Sequence, residues 1–168
     1  MNFKFKVNSY VVYPGHGVAL IKGVEEKTFT EGVQKFYVLE VLENKMKILL
    51  PLKNAKKVGL RNIISNSEVE KIIKILKSKP TAGDPNWNKR HTEYQEKIKT
   101  GSIAKASEVY RDLMFAKLEK ELSFGERKLL DVTRKLIISE ISHAKKIANE
   151  RAEAILSGIF LMEKDSEP

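Results

Sequence analysis

Between Phe5 and Leu60 the chain alternates short apolar runs with polar punctuation. SYVVYP, GVALIKGVEE, KFYVLEVL and MKILLPL are rich in β-branched and aromatic residues, the composition of strands that bury one face. Breakers separate them at Pro14-Gly15, Gly17, Gly23, Thr30-Glu31-Gly32, Glu43-Asn44 and Pro51. Strands this short and closely spaced predict a small, strongly bent antiparallel sheet or barrel. Gly23, inside a strand run, predicts a bulge or a barrel corner.

From Ser65 onward the period lengthens to that of a helix. SNSEVEKIIKILKS offers Ser67 with Glu70 as a capping box, followed by Val69, Ile72, Ile73 and Leu76 on one face. Lys79–Gly83 breaks this helix. Asp84 is the expected N-cap of the next, with Pro85 in its first position and Gly101 ending it. Ser102 caps a third helix with an apolar stripe of Ile103, Ala106, Val109, Tyr110, Leu113 and Leu118. Ser123-Phe124-Gly125-Glu126 reads as a second capping box, opening a helix with Leu129, Leu130, Leu136, Ile137 and Ile141 inward. Residues 146–160 are read as its continuation or as a separate short helix, and the tail EKDSEP as frayed. Strands first and helices afterwards predict a segregated α+β fold: a β domain over 1–62 and a helical domain over 63–168.

The formal net charge of +9 favours a polyanionic partner: nucleic acid, an acidic protein face or an anionic membrane. A solvated lysine-rich surface is the alternative. Residues 1–78 hold 14 Lys/Arg against 7 Asp/Glu, and residues 79–168 hold 17 against 15. The helical half is therefore nearly neutral, and any DNA contact it makes must be a local patch. The chain has no cysteine, which excludes disulfides, thiolate metal sites and cysteine nucleophiles. Neither a signal peptide nor a transmembrane run is recognisable, so a soluble cytoplasmic protein without membrane contact is expected.

Catalytic constellations are thin. His16, His91 and His143 lie far apart and none has metal-ligand spacing with another ligand. The PGHG segment at 14–17 lacks the Gly-Lys-Ser/Thr ending of a phosphate loop and reads as a turn. No enzyme, cofactor or metal is expected. The single tryptophan, Trp87, lies in DPNWNKRHTEY. At helical spacing Trp87, His91, Tyr94 and Ile98 share a face, which favours packing. Against that, Asn86, Asn88, Lys89 and Arg90 make its turn polar and cationic. An aromatic beside two cations at a helix start suits nucleic acid: free amides and cations attract phosphate, and the ring stacks on or wedges beside a base.

YVVYPGHGVALIKGVEE and KFYVLEVLENKMKILLPLKNAKKVGLR resemble the RNA-polymerase-interacting domain of the CarD/CdnL transcription regulators, a domain shared with the transcription-repair coupling factor. NWNKRHTEYQEKIKTGS, SEVYRDL and LSFGERKLLDVTRKLI resemble the CarD C-terminal domain. The resemblance spans Phe5 to Phe160. It implies a Tudor-like β domain that docks on the β subunit of bacterial RNA polymerase, and a helical domain that contacts promoter DNA at the upstream edge of the bubble. It also implies a nucleoid-associated monomer that stabilises the open complex. By the same resemblance Trp87 is the minor-groove wedge, with Asn86, Lys89 and Arg90 beside it, which reverses the preference for burial. On the polymerase side it points to Lys27, Phe36, Leu49 and Pro51. Leu49 stands where some relatives carry arginine, and Lys47, two residues earlier on the same strand face, is the expected substitute. Thr92 likewise replaces a basic residue of some members. Three rivals stay open from the residues alone: a general RNA- or ribosome-binding module, a protein scaffold with Trp87 buried, and a small enzyme.

Overall fold

A computed structural model describes residues 4–164. The chain divides into two compact units, Met1–Ile63 and Ile64–Pro168, an α+β arrangement of sheet first and helices second.

The first unit is a five-stranded antiparallel sheet in the order β4-β3-β2-β1-β5, built from β1 (Tyr10–Tyr13), β2 (Gly17–Phe29), β3 (Gly32–Val41), β4 (Lys47–Pro51) and β5 (Arg61–Asn62). The register shifts between Ile21 and Gly23, the bulge expected at that glycine. It bends β2, which pairs with β1 through Gly17–Leu20 and with β3 from Ala19 to Phe29. Period-two alternation sends Val11, Ala19, Ile21, Tyr37, Leu39 and Leu50 into one core with Leu60 and Ala55. Phe5 closes it: its amide donates to the Tyr37 hydroxyl at 3.3 Å and the two rings meet edge to face.

Two features of this unit differ from expectation. β2 and β3 extend as a two-stranded ribbon to a turn at Thr30-Glu31, because Thr28 pairs with Val33 and Phe29 with Gly32. The polar EEKT run carries no alternation to mark that extension. β5, two residues long and paired with Val11 and Val12, is too short to leave a periodic trace.

The second unit contains α1 (Asn66–Lys77), α2 (Trp87–Lys99), α3 (Ile103–Glu119), α4 (Phe124–Lys145) and α5 (Asn149–Lys164). Its core joins Val69, Ile72 and Leu76 of α1 to Ile103, Ala106 and Tyr110 of α3, Ile137 and Ile141 of α4, and Leu156 and Phe160 of α5. Buried Arg111 of α3 ties in the end of α1. Its guanidinium donates to Ser78 Oγ at 2.7 Å and Thr81 Oγ1 at 3.2 Å, while its Nε donates to Asp112. Residues 146–160 form no continuation of α4. Lys146 adopts a left-handed conformation (φ 55°) that ends the helix, and α5 follows as a separate element. Of the tail read as frayed, residues 165–168 lie outside the described residues.

Three details of the helical reading are corrected. The capping box of α1 is Ser65 with Glu68, not Ser67 with Glu70. The two Ser-x-x-Glu patterns overlap, and the earlier one places Ile64 and Val69 at the N′ and N4 positions, both against the core. The N-cap of α2 is Asn86, whose side chain accepts from the Asn88 amide at 2.9 Å. Asp84 instead forms a turn, accepting from the Asn86 amide at 2.8 Å, so Pro85 lies outside the helix. Leu118 is half exposed, because it falls beyond the buried stretch of α3 that ends at Leu113.

The box at Ser123 is formed as expected. Its hydroxyl accepts from the Glu126 amide, and Glu126, itself buried, accepts from the Ser123 amide. Ser123→Ala is expected to lower unfolding stability by about 1 kcal/mol, read as a lower urea midpoint at unchanged slope.

Candidate nucleic-acid interface

The stripe along α2 is a packing stripe with an exposed end. Tyr94 and Ile98 pack against Val109, Leu113 and Leu129. Burial, reinforced by the nearby Asp112 carboxylate, raises the Tyr94 phenol above its ordinary range. One turn earlier the packing loosens. No residue of α2 is fully buried, and Trp87, its first residue, is half-buried and belongs to no core cluster.

The indole is held from three directions. The Arg90 guanidinium lies over the ring, 5.3 Å from its centroid. The His91 ring lies 5.1 Å away, tilted by 54°, with its Nδ1 buried and without a hydrogen-bond partner among the described residues. The edge at Cζ2 approaches the first turn of α4 at Gly125, where a Cβ would sit 3.5 Å from it. A side chain larger than alanine at Gly125 would therefore displace the ring.

The segment before Trp87 has no regular structure, yet it is pinned at both ends by arginines. Arg111 holds Ser78 and Thr81. Arg90 donates to the Asp84 carbonyl at 2.9 Å and the Pro85 carbonyl at 3.1 Å. Arg90 is thus half-buried and committed within the fold, stacking on the indole while bracing its approach. Asn86 and Lys89 are exposed. The first turn of α2 itself carries no acidic residue, and the nearest carboxylate in sequence, Asp84, is engaged by the Asn86 amide just before it.

Sequence reasoning names Trp87, Asn86, Lys89 and Arg90, and the fold brings all four into one turn. It misses Phe124, which is 77% exposed and immediately precedes Gly125. Phe124 lies off the inward stripe of α4, and that mismatch is the available signal. Arg111 is also missed, because nothing local marks an arginine that will be buried.

The residues expected to face polymerase share one face of the N-terminal sheet. Phe36 pairs with Pro51 and with Glu25, Val38 with Leu49, Glu40 with Lys47, and Lys27 with Gln34. Directly opposed residues point the same way, so Lys27, Phe36, Lys47, Leu49 and Pro51 all lie on the side opposite Tyr37 and Leu39. Lys27 Nζ sits 5.9 Å from the Phe36 centroid. Lys47 pairs with Glu25 at 3.9 Å. Phe29, half exposed and 6.3 Å from Phe36, extends this face towards the hairpin tip. β4 is an edge strand.

Among the described residues no cluster of metal-ligating side chains occurs, and no helix is long and apolar enough to cross a membrane.

Residues 5–64 match the CarD-like/TRCF RID domain, and residues 71–157 match the CarD C-terminal domain. The chain is 31% identical over 150 residues to the Bacillus subtilis (strain 168) protein named "Putative transcription factor YdeB", covering 89% of this chain and 98% of that one. A solved structure, "CdnLNt from Myxoccoccus xanthus", is 44% identical over 39% of this chain and 93% of its own, with a TM-score of 0.33. Two domain families matched in order, and a relative aligned almost from end to end, place this chain in the CarD/CdnL family of transcription factors: an RNA-polymerase-interacting domain followed by a CarD C-terminal domain.

Proposed function

We propose that the outer face of the N-terminal sheet docks on the β subunit of RNA polymerase, and that Trp87 engages the minor groove at the upstream edge of the promoter bubble and stabilises the open complex. The observation that carries this reading is the seating of Trp87. Partly exposed, it stands at a helix N-terminus between a stacked guanidinium and an exposed lysine.

Opening a promoter costs a few kcal/mol for each unstacked step. A protein that binds the opened junction better than closed duplex shifts the equilibrium by that difference and no more. Stacking on one indole supplies roughly 1–3 kcal/mol. Arg90 adds rigidity: with its guanidinium held by Asp84 and Pro85, the ring loses little further freedom when a base meets it. Asn86 and Lys89 are placed to contact the neighbouring backbone, which fixes position without reading sequence. Phe124, exposed beside Gly125, is a second aromatic side chain on the same helical unit.

An energy of this size is too small to hold free DNA tightly. Docking on polymerase through the other unit raises the local concentration of the wedge. The outer face has the chemistry for docking. Phe36, Leu49 and Pro51 give apolar contact, Lys27 and Lys47 give charge, and edge strand β4 can accept a further strand by backbone pairing.

Trp87→Ala is expected to shorten the lifetime of open promoter complexes by roughly 5- to 150-fold, the equivalent of 1–3 kcal/mol, while polymerase binding survives. A fluorophore at a melted base reads this, and equal lifetimes for variant and parent would remove the wedge. Lys27→Glu, which reverses charge beside Phe36, is expected to weaken association with isolated polymerase β. Unchanged co-purification would take Lys27 off the docking face.

A further inference from the structure

Positive charge is distributed unequally between the two units. Residues 1–63 hold 11 Lys/Arg and 5 Asp/Glu, and residues 64–168 hold 20 and 17. The unit assigned to protein docking thus carries most of the net charge. Within it, most lysines of the β2–β3–β4 region have an acidic neighbour: Lys22 and Lys45 share Glu40, Lys35 faces Glu26 and Lys47 faces Glu25, while Lys27 lies against the Phe36 ring. The segment after β4 differs. No acidic residue occurs between Glu43 and Glu68, and Lys53, Lys56 and Lys57 are exposed, with no ion pair among the described residues.

The backbone of this segment aligns those three lysines. Leu52–Asn54 is a 3-10 turn, and the coil continues: Val58 donates to the Asn54 carbonyl, Gly59 to Lys56 and Leu60 to Ala55. Positions 53, 56 and 57 have the i, i+3, i+4 spacing that puts side chains on one side of a helical turn, with Cβ atoms about 5–6 Å apart. The opposite side is anchored, since Ala55 and Leu60 are buried in the sheet's core and Leu52 and Val58 pack against it. The result is a fixed turn presenting a row of three ammonium groups to solvent.

We propose that Lys53, Lys56 and Lys57 form a second nucleic-acid contact, separate from Trp87, that binds the phosphate backbone of duplex DNA. Its chemistry favours phosphate over an acidic protein face. Protein interfaces are depleted of lysine and centre on buried apolar anchors, whereas every large apolar side chain of this turn points into its own core. Lysines without acidic partners release counterions from DNA at no cost in broken ion pairs. Contacts to phosphate fix position and carry no sequence information, so binding through this turn is independent of sequence.

The test is the salt dependence of binding by the full chain to a short fluorescein-labelled duplex. Anisotropy is followed between about 50 and 200 mM salt, where each phosphate contact contributes about 0.9 to the slope of log K against log salt. The triple variant Lys53→Gln, Lys56→Gln, Lys57→Gln is compared with Lys22→Gln, Lys35→Gln, Lys45→Gln, which removes equal charge from the same unit at ion-paired positions. The expected result is a slope reduced by roughly 2–3 for the first set and a smaller change for the second. An unchanged slope for the first set overturns the proposal, and so does an equal reduction by both sets, which would mean bulk charge alone. Weakened polymerase β binding with an unchanged DNA slope also overturns it and assigns the turn to protein. Trp87→Ala removes no charge and should leave the slope intact, so this contact and the wedge fail or survive separately. All six lysines lie on the surface of the sheet unit, and thermal melts confirm that each variant is folded.

Discussion

The indole of Trp87 sits at the end of a packing stripe, and the competition along that stripe governs the rest of the helical unit's surface. Tyr94 and Ile98 are drawn in by Val109, Leu113 and Leu129, which fixes the roll of α2 on α3 and α4. With that roll set, Trp87 meets Gly125, where the absence of a side chain lets the ring edge approach without being enclosed. Arg90 then caps the ring and ties it to the carbonyls of Asp84 and Pro85. Removal of any one element gives a different protein. Without the stripe the helix would rotate, and with a bulky side chain in place of Gly125 the ring edge would lose its close approach. Without Arg90 the indole and its approach would be loose, and ordering them on binding would cost entropy that the fold has already supplied.

A nearly neutral helical half can thus still carry a local cationic patch. Lys89 and the acid-free first turn of α2 concentrate positive potential at one place, while Glu126 nearby is buried in its capping role. The capping box has two effects: it stabilises α4 and keeps a carboxylate from facing the same solvent as the indole. The sheet unit separates its two faces. The bulge at Gly23 preserves the alternation on both sides of the bend, so Phe36, Val38 and Glu40 stay on the outer side along the length of β3.

Most of this architecture is legible in the sequence because it follows from periodicity. The four main strands, the Gly23 bulge, the helix caps at Ser102 and Ser123 and the shared face of the five outer residues all reflect local rules. Errors arise where two local rules compete. Ser65 and Ser67 each begin a Ser-x-x-Glu pattern, and only the packing of Ile64 and Val69 chooses between them. Asp84-Pro85 reads as a helix start, but Asn86 caps the helix while Asp84 closes a turn on it. The rest depends on distant partners. Arg111 reaches Ser78 and Thr81 across roughly thirty residues of chain, and the ribbon beyond Glu25 is fixed by pairing and not by hydrophobicity. Trp87 itself admits two readings from sequence, and the structure leaves it half-buried at the loose end of a stripe that packs at Tyr94 and Ile98.

The energetic division between the units follows from these sizes. The wedge proposed for Trp87, worth roughly 1–3 kcal/mol, would be a contact weaker than millimolar standing alone. It gains selectivity from that weakness, since closed duplex offers it no stacking surface and no reason to stay. Under the same proposal affinity comes from elsewhere on the chain, through apolar contact and strand pairing on the outer sheet face. Charge on the surface of that same unit would add sequence-independent affinity for nearby duplex. Such a contact stabilises closed and open complexes alike, so it raises occupancy without shifting the opening equilibrium. On the proposed reading, discrimination between the two states falls to the aromatic end of α2, whose ring Arg90 and His91 hold in place, while the lysines of the sheet unit's turn add affinity alone.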